Sequence, residues 1–173
     1  MTGIASLDRA IEGARTAPAV GTVYQVEPWS SFKVEARELF VRHWREIALN
    51  HAEVPLDIDY ERYDEMAARG AVHVLTARRN GLLIGYHVAF IAGHMHYRST
   101  LHAVTDVYWI APECRHGVTA MRLLQAVERE LKRRGVRKLF TATKLHLDQG
   151  PLFERLGYRP VERMYAKLIG REN

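Results

Sequence analysis

Apolar and polar residues change their spacing along the chain, and each change marks a new element. Alternation comes first: Val23, Tyr24 and Val26 in "TVYQVEPW" suit a pleated surface and predict a strand. The spacing then lengthens to three and four. Phe32, Ala36, Leu39, Phe40, Trp44 and Ile47 share one helical face, with Ser30 as cap and Trp29 placed to staple onto Val34. Pro55 interrupts the chain, Asp57 or Asp59 can start a second helix, "YERYDEMAARG", and Gly70 fits just past its end.

Strand periodicity then returns. "AVHVLTAR" and "LLIGYHVAFIAG" flank Asn80–Gly81, a hairpin signal. "HMHYRST" is a polar reversal, and "LHAVTDVYWI" pairs back as a fourth strand that Pro112 ends. Val118, Met121, Leu124, Val127 and Leu131 line one face of a helix from about Gly117 to Arg134, and Gly135 closes it. "VRKLFTAT" is a fifth strand. "DQGPLFERLGY" is a short helix with Asp148 as cap and Gly157 as stop, and "YRPVERMYAKLIG" alternates as a last antiparallel strand.

This order predicts an α/β (α+β) fold: a mixed, mostly antiparallel central sheet with helices on both faces. Residues 1–20 read as a loose N-terminal arm with room for a short helix, and 21–173 as a single domain.

Composition adds constraints. Hydrophobic residues make up 47% of the 173, enough for a core without staples. Cys114 is the only cysteine, so no internal disulfide forms. No apolar run is long enough to span a bilayer, and the chain reads as cytoplasmic with no membrane partner. A net charge of +5 favours an anionic ligand. Basic residues cluster in "ARRN" (Arg78, Arg79) and in "ERELKRRGVRK" (Arg129, Lys132, Arg133, Arg134, Arg137, Lys138); both read as solvated surface.

"IAPECRHGVTAMRLL", residues 110–124, hands a strand over to a helix. A helix start presents unpaired N–H groups and partial positive charge, which suits an anion. Arg115 and Ala120 fit the first and last places of a signature of Arg or Gln, two residues, Gly, one residue, Gly or Ala; Val118 stands where its first glycine is expected, and Gly117 lies one position earlier. Leu152, Phe153, Leu156, Gly157 and Tyr158 fit a second signature: Leu, Tyr, two residues, Leu, Gly, Phe. With these motifs in this order, residues 21–169 resemble the GCN5-related N-acetyltransferase (GNAT) superfamily, and look most like small acetyltransferases carried by tailed bacteriophages.

The resemblance implies acetyl-CoA as co-substrate and direct acetyl transfer to an amine. Its pyrophosphate would lie on the backbone of Arg115, His116, Gly117, Val118, Thr119 and Ala120, with the Arg115 side chain adding charge. The pantetheine arm would lie between strands four and five, beside Trp109 and Ile110. A bulge there would free the N–H of Ile110 or its neighbour for the thioester oxygen. His146 occupies a place where relatives carry a coenzyme-contacting asparagine. Phe153 replaces the tyrosine that many relatives use as general acid, so either Tyr108 or another tyrosine substitutes, or water protonates the thiolate.

The base is read from the residues. Asp106 sits inside an apolar strand, two residues from Tyr108 and so on its face, and a carboxylate there needs either a structural partner or a chemical purpose. His94, His96 and His102 could hold zinc, but no fourth ligand is evident, and the stretch reads as a polar hairpin beside the acceptor. Cys114 reads as a bystander.

The acceptor would be an amine-bearing small molecule or a protein lysine or N-terminus. Glu53, Asp57, Asp59, Glu61, Asp64 and Glu65 make its approach acidic, or simply cap and solvate the second helix. The competing readings are a non-catalytic nucleic-acid- or protein-binding module and an acyl-CoA-binding regulator. Nucleic acid is disfavoured because the basic run lacks aromatic residues for stacking. A homodimer is compatible with all three.

Overall fold

The computed structural model of the chain describes residues 2–16 and 21–169. The elements run α1 (Thr2–Thr16), β1 (Val23–Val26), α2 (Trp29–Glu35), α3 (Arg37–Ile47), α4 (Tyr60–Ala68), β2 (Val72–Arg79), β3 (Leu82–His94) and β4 (Tyr97–Ile110). A 3-10 turn (Pro112–Cys114), α5 (Thr119–Arg133), β5 (Val136–Phe140) and α6 (Gly150–Arg155) follow. The five strands form one sheet in the order β1-β2-β3-β4-β5. All neighbours are antiparallel except β4 and β5, which are parallel. The expected mixed sheet is therefore present.

Burial along β3 shows why both faces carry helices. Leu83 to Ala89 are buried without a break, whereas a strand with one wet face would alternate. The helix α5 packs on β1, β2 and β3 from one side. On the other side, Phe32 of α2 and Phe40 of α3 meet Tyr86 edge-on at 5.3 and 5.4 Å. Asn80 and Gly81, at φ 53° and 80°, make the tight β2–β3 turn read from the Asn-Gly pair. Gly85 has a different task. A Cβ there would lie 2.8 Å from Ile110 Cγ1 and 2.9 Å from the Trp109 carbonyl oxygen, so its bare backbone lets β3 close on the end of β4.

Five expectations change. The N-terminal segment is a helix rather than a loose arm, and Ile11 is fully buried in the core. The first long helix is two helices broken at Ala36. Trp29 opens α2 after Pro28, and Val34, 61% exposed, takes no staple because Trp29 stacks on Tyr63 instead. Arg78 and Arg79 are not solvated surface: Arg78 pairs with Glu27 at 2.6 Å and Glu35 at 2.6 Å, and Arg79 is buried. The fifth strand stops at Phe140. Among the described residues no last strand forms: alternation permits a strand but does not by itself pair it. Residues 159–168 carry no ladder, leaving Met164 89% and Tyr165 82% exposed.

Candidate active site

The β4–β5 pairing is short. Leu101 to Val104 pair with Val136 to Phe140, and β5 ends there. The rest of β4, residues 105–110, has a neighbour on its β3 edge only. The other edge has no strand neighbour, and this interruption of the ladder is the β4–β5 gap. Strand geometry identifies the groups that face it. The Ala111 N–H donates to the Ile84 carbonyl at 2.8 Å, so Ala111 and Trp109 turn their backbone groups to β3. By alternation, Ile110 and Tyr108 turn theirs to the gap, and the Ile110 carbonyl accepts from Arg115 Nε at 2.8 Å on that edge.

The bulge expected near Ile110 lies four residues earlier. Val88 pairs with Val107 and Ala89 with Thr105, which leaves Asp106 as the extra residue of β4. The extra residue shifts the side-chain phase, so Asp106 and Tyr108 do not share a face. Tyr108 lies beside His87 and the Phe153 ring, at 6.3 and 6.5 Å. Asp106 reaches the opposite side, where Oδ2 accepts a hydrogen bond from the Tyr63 hydroxyl.

Tyr63 is held from behind. Its ring stacks on Trp29 at 4.3 Å and 14°. Trp29 Nε1 donates to Asp64 Oδ1 at 2.9 Å, and Lys33 Nζ donates to Asp64 Oδ2 at 2.5 Å. Burial raises the Asp106 carboxyl above its ordinary range, against the opposing pull of the Tyr63 hydrogen bond. The carboxyl is nonetheless open to solvent on one side. Burial also raises Tyr63 and Tyr108 well above the usual phenol range, so both keep their protons at neutral pH. The expected structural partner for Asp106 is therefore a tyrosine from α4.

At the other end of the gap, the chain turns through Pro112–Cys114 into α5. Gly117 takes φ +69°, so the left-handed residue of this turn falls on the glycine and not on Val118. Val118 precedes the helix and caps it with no side-chain bond. The first intrahelical bond of the turn runs from Arg122 N to the Val118 carbonyl at 2.9 Å, leaving the amides of Thr119, Ala120 and Met121 without helical acceptors. His116, Gly117 and Val118 are exposed. Thr119 is buried, its carbonyl accepting from the Tyr24 hydroxyl at 3.3 Å.

The Arg115 side chain turns away from this turn. It pairs with Glu46 of α3, bonding Oε2 at 2.7 Å, and Glu46 Oε2 also accepts from Trp109 Nε1 at 2.7 Å. The charge expected to reinforce the anion cradle is thus neutralised by Glu46, and Arg115 ties α3 to the end of β4. Burial raises the Glu46 carboxyl, but hydrogen bonds from Arg115 and Trp109 hold it below its ordinary value overall. His146 sits exposed in a tight turn closed by the Lys144–Leu147 bridge, and Phe153 is buried. Sequence reasoning missed Tyr63 and Glu46. Only Tyr60 and Tyr63, three apart in the charged first half of the helix, hinted at an aromatic face on α4.

The acetyltransferase (GNAT) family matches residues 34–158, a span that contains the bulge, the turn and α6. The chain belongs to the GNAT family. It is accordingly an acetyltransferase whose co-substrate is acetyl-CoA. Solved structures share the fold. A ribosomal-protein-alanine N-acetyltransferase from Brucella melitensis biovar Abortus 2308 is 16% identical, with a TM-score of 0.69 over 87% of this chain and 99% of that one. A predicted acetyltransferase from Clostridium acetobutylicum, solved with acetyl-CoA, is 14% identical, with a TM-score of 0.64 over 88% and 100%. An aminoglycoside N-acetyltransferase in complex with CoA is 18% identical, with a TM-score of 0.67 over 90% and 99%. No curated protein sequence matches this GNAT chain. Among the described residues, no helix is long and apolar enough to cross a membrane.

Proposed function

We propose that this GNAT chain moves the acetyl group of acetyl-CoA to a primary amine by direct attack while both are bound. The observation that carries the reading is Asp106, displaced by the bulge at the edge of the β4–β5 gap. The uncapped amides of Thr119, Ala120 and Met121, with the turn at Gly117, hold the pyrophosphate. The gap receives the pantetheine arm. The N–H groups of Ile110 and Tyr108, on the open edge of β4, donate to the thioester oxygen as charge develops.

The amine arrives from the α4 side. Its ammonium proton passes to the Asp106 carboxylate, the freed nitrogen bonds the acetyl carbon, and the carbon–sulfur bond breaks. The departing thiolate takes a proton from Tyr108, whose ring lies 6.5 Å from that of Phe153, and the surplus proton of the acylated nitrogen passes through solvent to restore the phenol. Asp57 and Glu61 are exposed near the start of α4, and an acidic approach suits a cationic acceptor. Some GNAT neighbours acetylate aminoglycosides by name, and one was solved with sisomicin. The reading extends to aminoglycoside-like amines, polyamines and protein amines. A cytoplasmic setting, which rests on the single cysteine and the lack of a long apolar run, and the kinship with tailed-bacteriophage acetyltransferases, which rests on the sequence resemblance, belong to the same reading.

Thiol release from acetyl-CoA with sisomicin, spermidine and a lysine peptide tests it. Release with at least one amine, slowed about a hundredfold or more by Asp106→Asn, is the expected result. Phe153, which has no proton to give, favours one second reading: a regulator that binds the coenzyme without turnover. Tight coenzyme binding with no release from any amine would select that reading.

A further inference from the structure

The proton acceptor of an acetyl transfer must keep its charge and aim it at the amine. Asp106 has no help from its own strand. It is the bulged residue of β4, out of the ladder with β3, so the sheet does not fix its backbone as it fixes Val107 or Thr105. Among the described residues no cation pairs with it, and the titratable groups around it are phenols. Tyr63 approaches from α4, with Tyr60 beyond it on the same helix, and Tyr86 from β3, whereas Tyr108 lies on the other face of β4. One of these phenols, Tyr63, bonds the carboxylate.

We propose that Tyr63 is the positioning residue for Asp106: its hydroxyl fixes the carboxylate on the acceptor side of the bulge and keeps it in the proton-accepting form. The inference rests on the reading of Asp106 as the base, but the geometry beneath it is separate. The phenol can only act this way if its ring is immobile, and the stack on Trp29 with the Trp29–Asp64–Lys33 chain behind it makes it so. Phe90 closes a further side of the ring at 5.5 Å. Tyr63 takes Oδ2; among the described residues nothing bonds Oδ1, which is left for the amine proton. A hydrogen bond to the charged form of a carboxylate favours that form. Removing it costs about a factor of ten in the ionisation constant, the scale of one bond to a charged group.

The test follows the carboxyl itself, so it needs no knowledge of the acceptor. In protein labelled with ¹³C-aspartate, the Asp106 Cγ resonance is assigned by its loss in Asp106→Asn and titrated in wild type and Tyr63→Phe. The phenylalanine ring retains the stack on Trp29 and removes only the hydroxyl. The expected result is a midpoint about one pH unit higher in Tyr63→Phe, with the acid limb of thiol release moving by the same amount and KM for acetyl-CoA unchanged. An unmoved midpoint overturns the inference. If Tyr63→Phe does not fold, the wild-type protein still decides. The Tyr63 hydroxyl proton should appear as a downfield, exchange-protected resonance that vanishes in Asp106→Asn, and its absence from the wild type overturns the inference. The two claims fail differently: full activity in Asp106→Asn removes the base reading, whereas an unmoved Asp106 midpoint in Tyr63→Phe removes the role of Tyr63.

Discussion

The Tyr108 ring lies 6.5 Å from that of Phe153, across the gap side of β4 from the bulge. The resemblance to GNAT enzymes implies a phenol at the Phe153 position in many members, and under the proposed mechanism the Tyr108 hydroxyl serves instead. Tyr108→Phe should lower kcat tenfold or more and leave KM for acetyl-CoA unchanged. Phe153→Tyr added to that variant should restore part of the rate, because it returns a phenol to the neighbouring ring. Steady-state thiol release measures both. Equal kcat in wild type and Tyr108→Phe would leave the thiolate to be protonated by water.

Glu46 holds Arg115 and Trp109 together, and through them fastens α3 to the end of β4. Glu46→Ala leaves the Trp109 N–H without its partner and the Arg115 guanidinium without its counter-charge. Losing hydrogen bonds to a charged, part-buried group costs about 2 kcal/mol. Urea unfolding should show that loss, and weaker acetyl-CoA binding should accompany it if the end of β4 loosens. Unchanged stability would mean that the pair is solvated and contributes nothing.

Gly85→Ala puts a methyl group into Ile110 and the Trp109 carbonyl. Backbone is the obstacle, so the strands must separate, at a cost of about 1–3 kcal/mol. The strained segment carries the Ile110 N–H assigned to the thioester oxygen. Activity should therefore fall by more than acetyl-CoA affinity does. Gly117→Ala makes the contrast: open space surrounds its Cβ, and the cost is the left-handed backbone alone, about 1 kcal/mol.

Three histidines are buried as neutral rings. Burial holds His43 and His73 down to about 4 and His87 to about 3. In the unfolded chain each titrates near ~6.5. Between those values the unfolded chain binds protons that the folded one refuses. Their stabilising effect is thus complete above pH ~6.5 and is lost as pH falls toward 4, at up to about 1.4 kcal/mol per pH unit for each ring. Thermal midpoints should drop steeply from pH 6.5 to 4.5, and His73→Leu should flatten the slope. His73 is the sharpest choice because neither ring nitrogen has a hydrogen-bond partner. A slope unaltered in His73→Leu would show that this ring is not excluded from protonation.

Local chemistry was legible in the sequence. Asn80–Gly81 fixed a hairpin, and Asp59, one of the two residues read as starting the second helix, caps α4 by accepting from Arg62 N at 2.9 Å. Gly117 carried the turn that Val118 could not. What escaped depends on residues far apart in the chain. A bulge is a mismatch between two strands, so Asp106 looked like a regular position sharing a face with Tyr108. Tyr63 lies 43 residues from Asp106, and no spacing rule connects them. The final strand failed for the opposite reason: its alternation is genuine, but residues 159–168 pair with no strand of the sheet.

The central claim is that the backbone at the start of α5 holds the coenzyme's pyrophosphate while its thioester lies in the β4–β5 gap. The direct measurement is a titration of ¹⁵N-labelled protein with acetyl-CoA, following assigned amides. The largest shifts should fall on Gly117 to Met121, with Tyr108 and Ile110 next. Binding that leaves those amides unmoved, or no binding at millimolar acetyl-CoA, would contradict it.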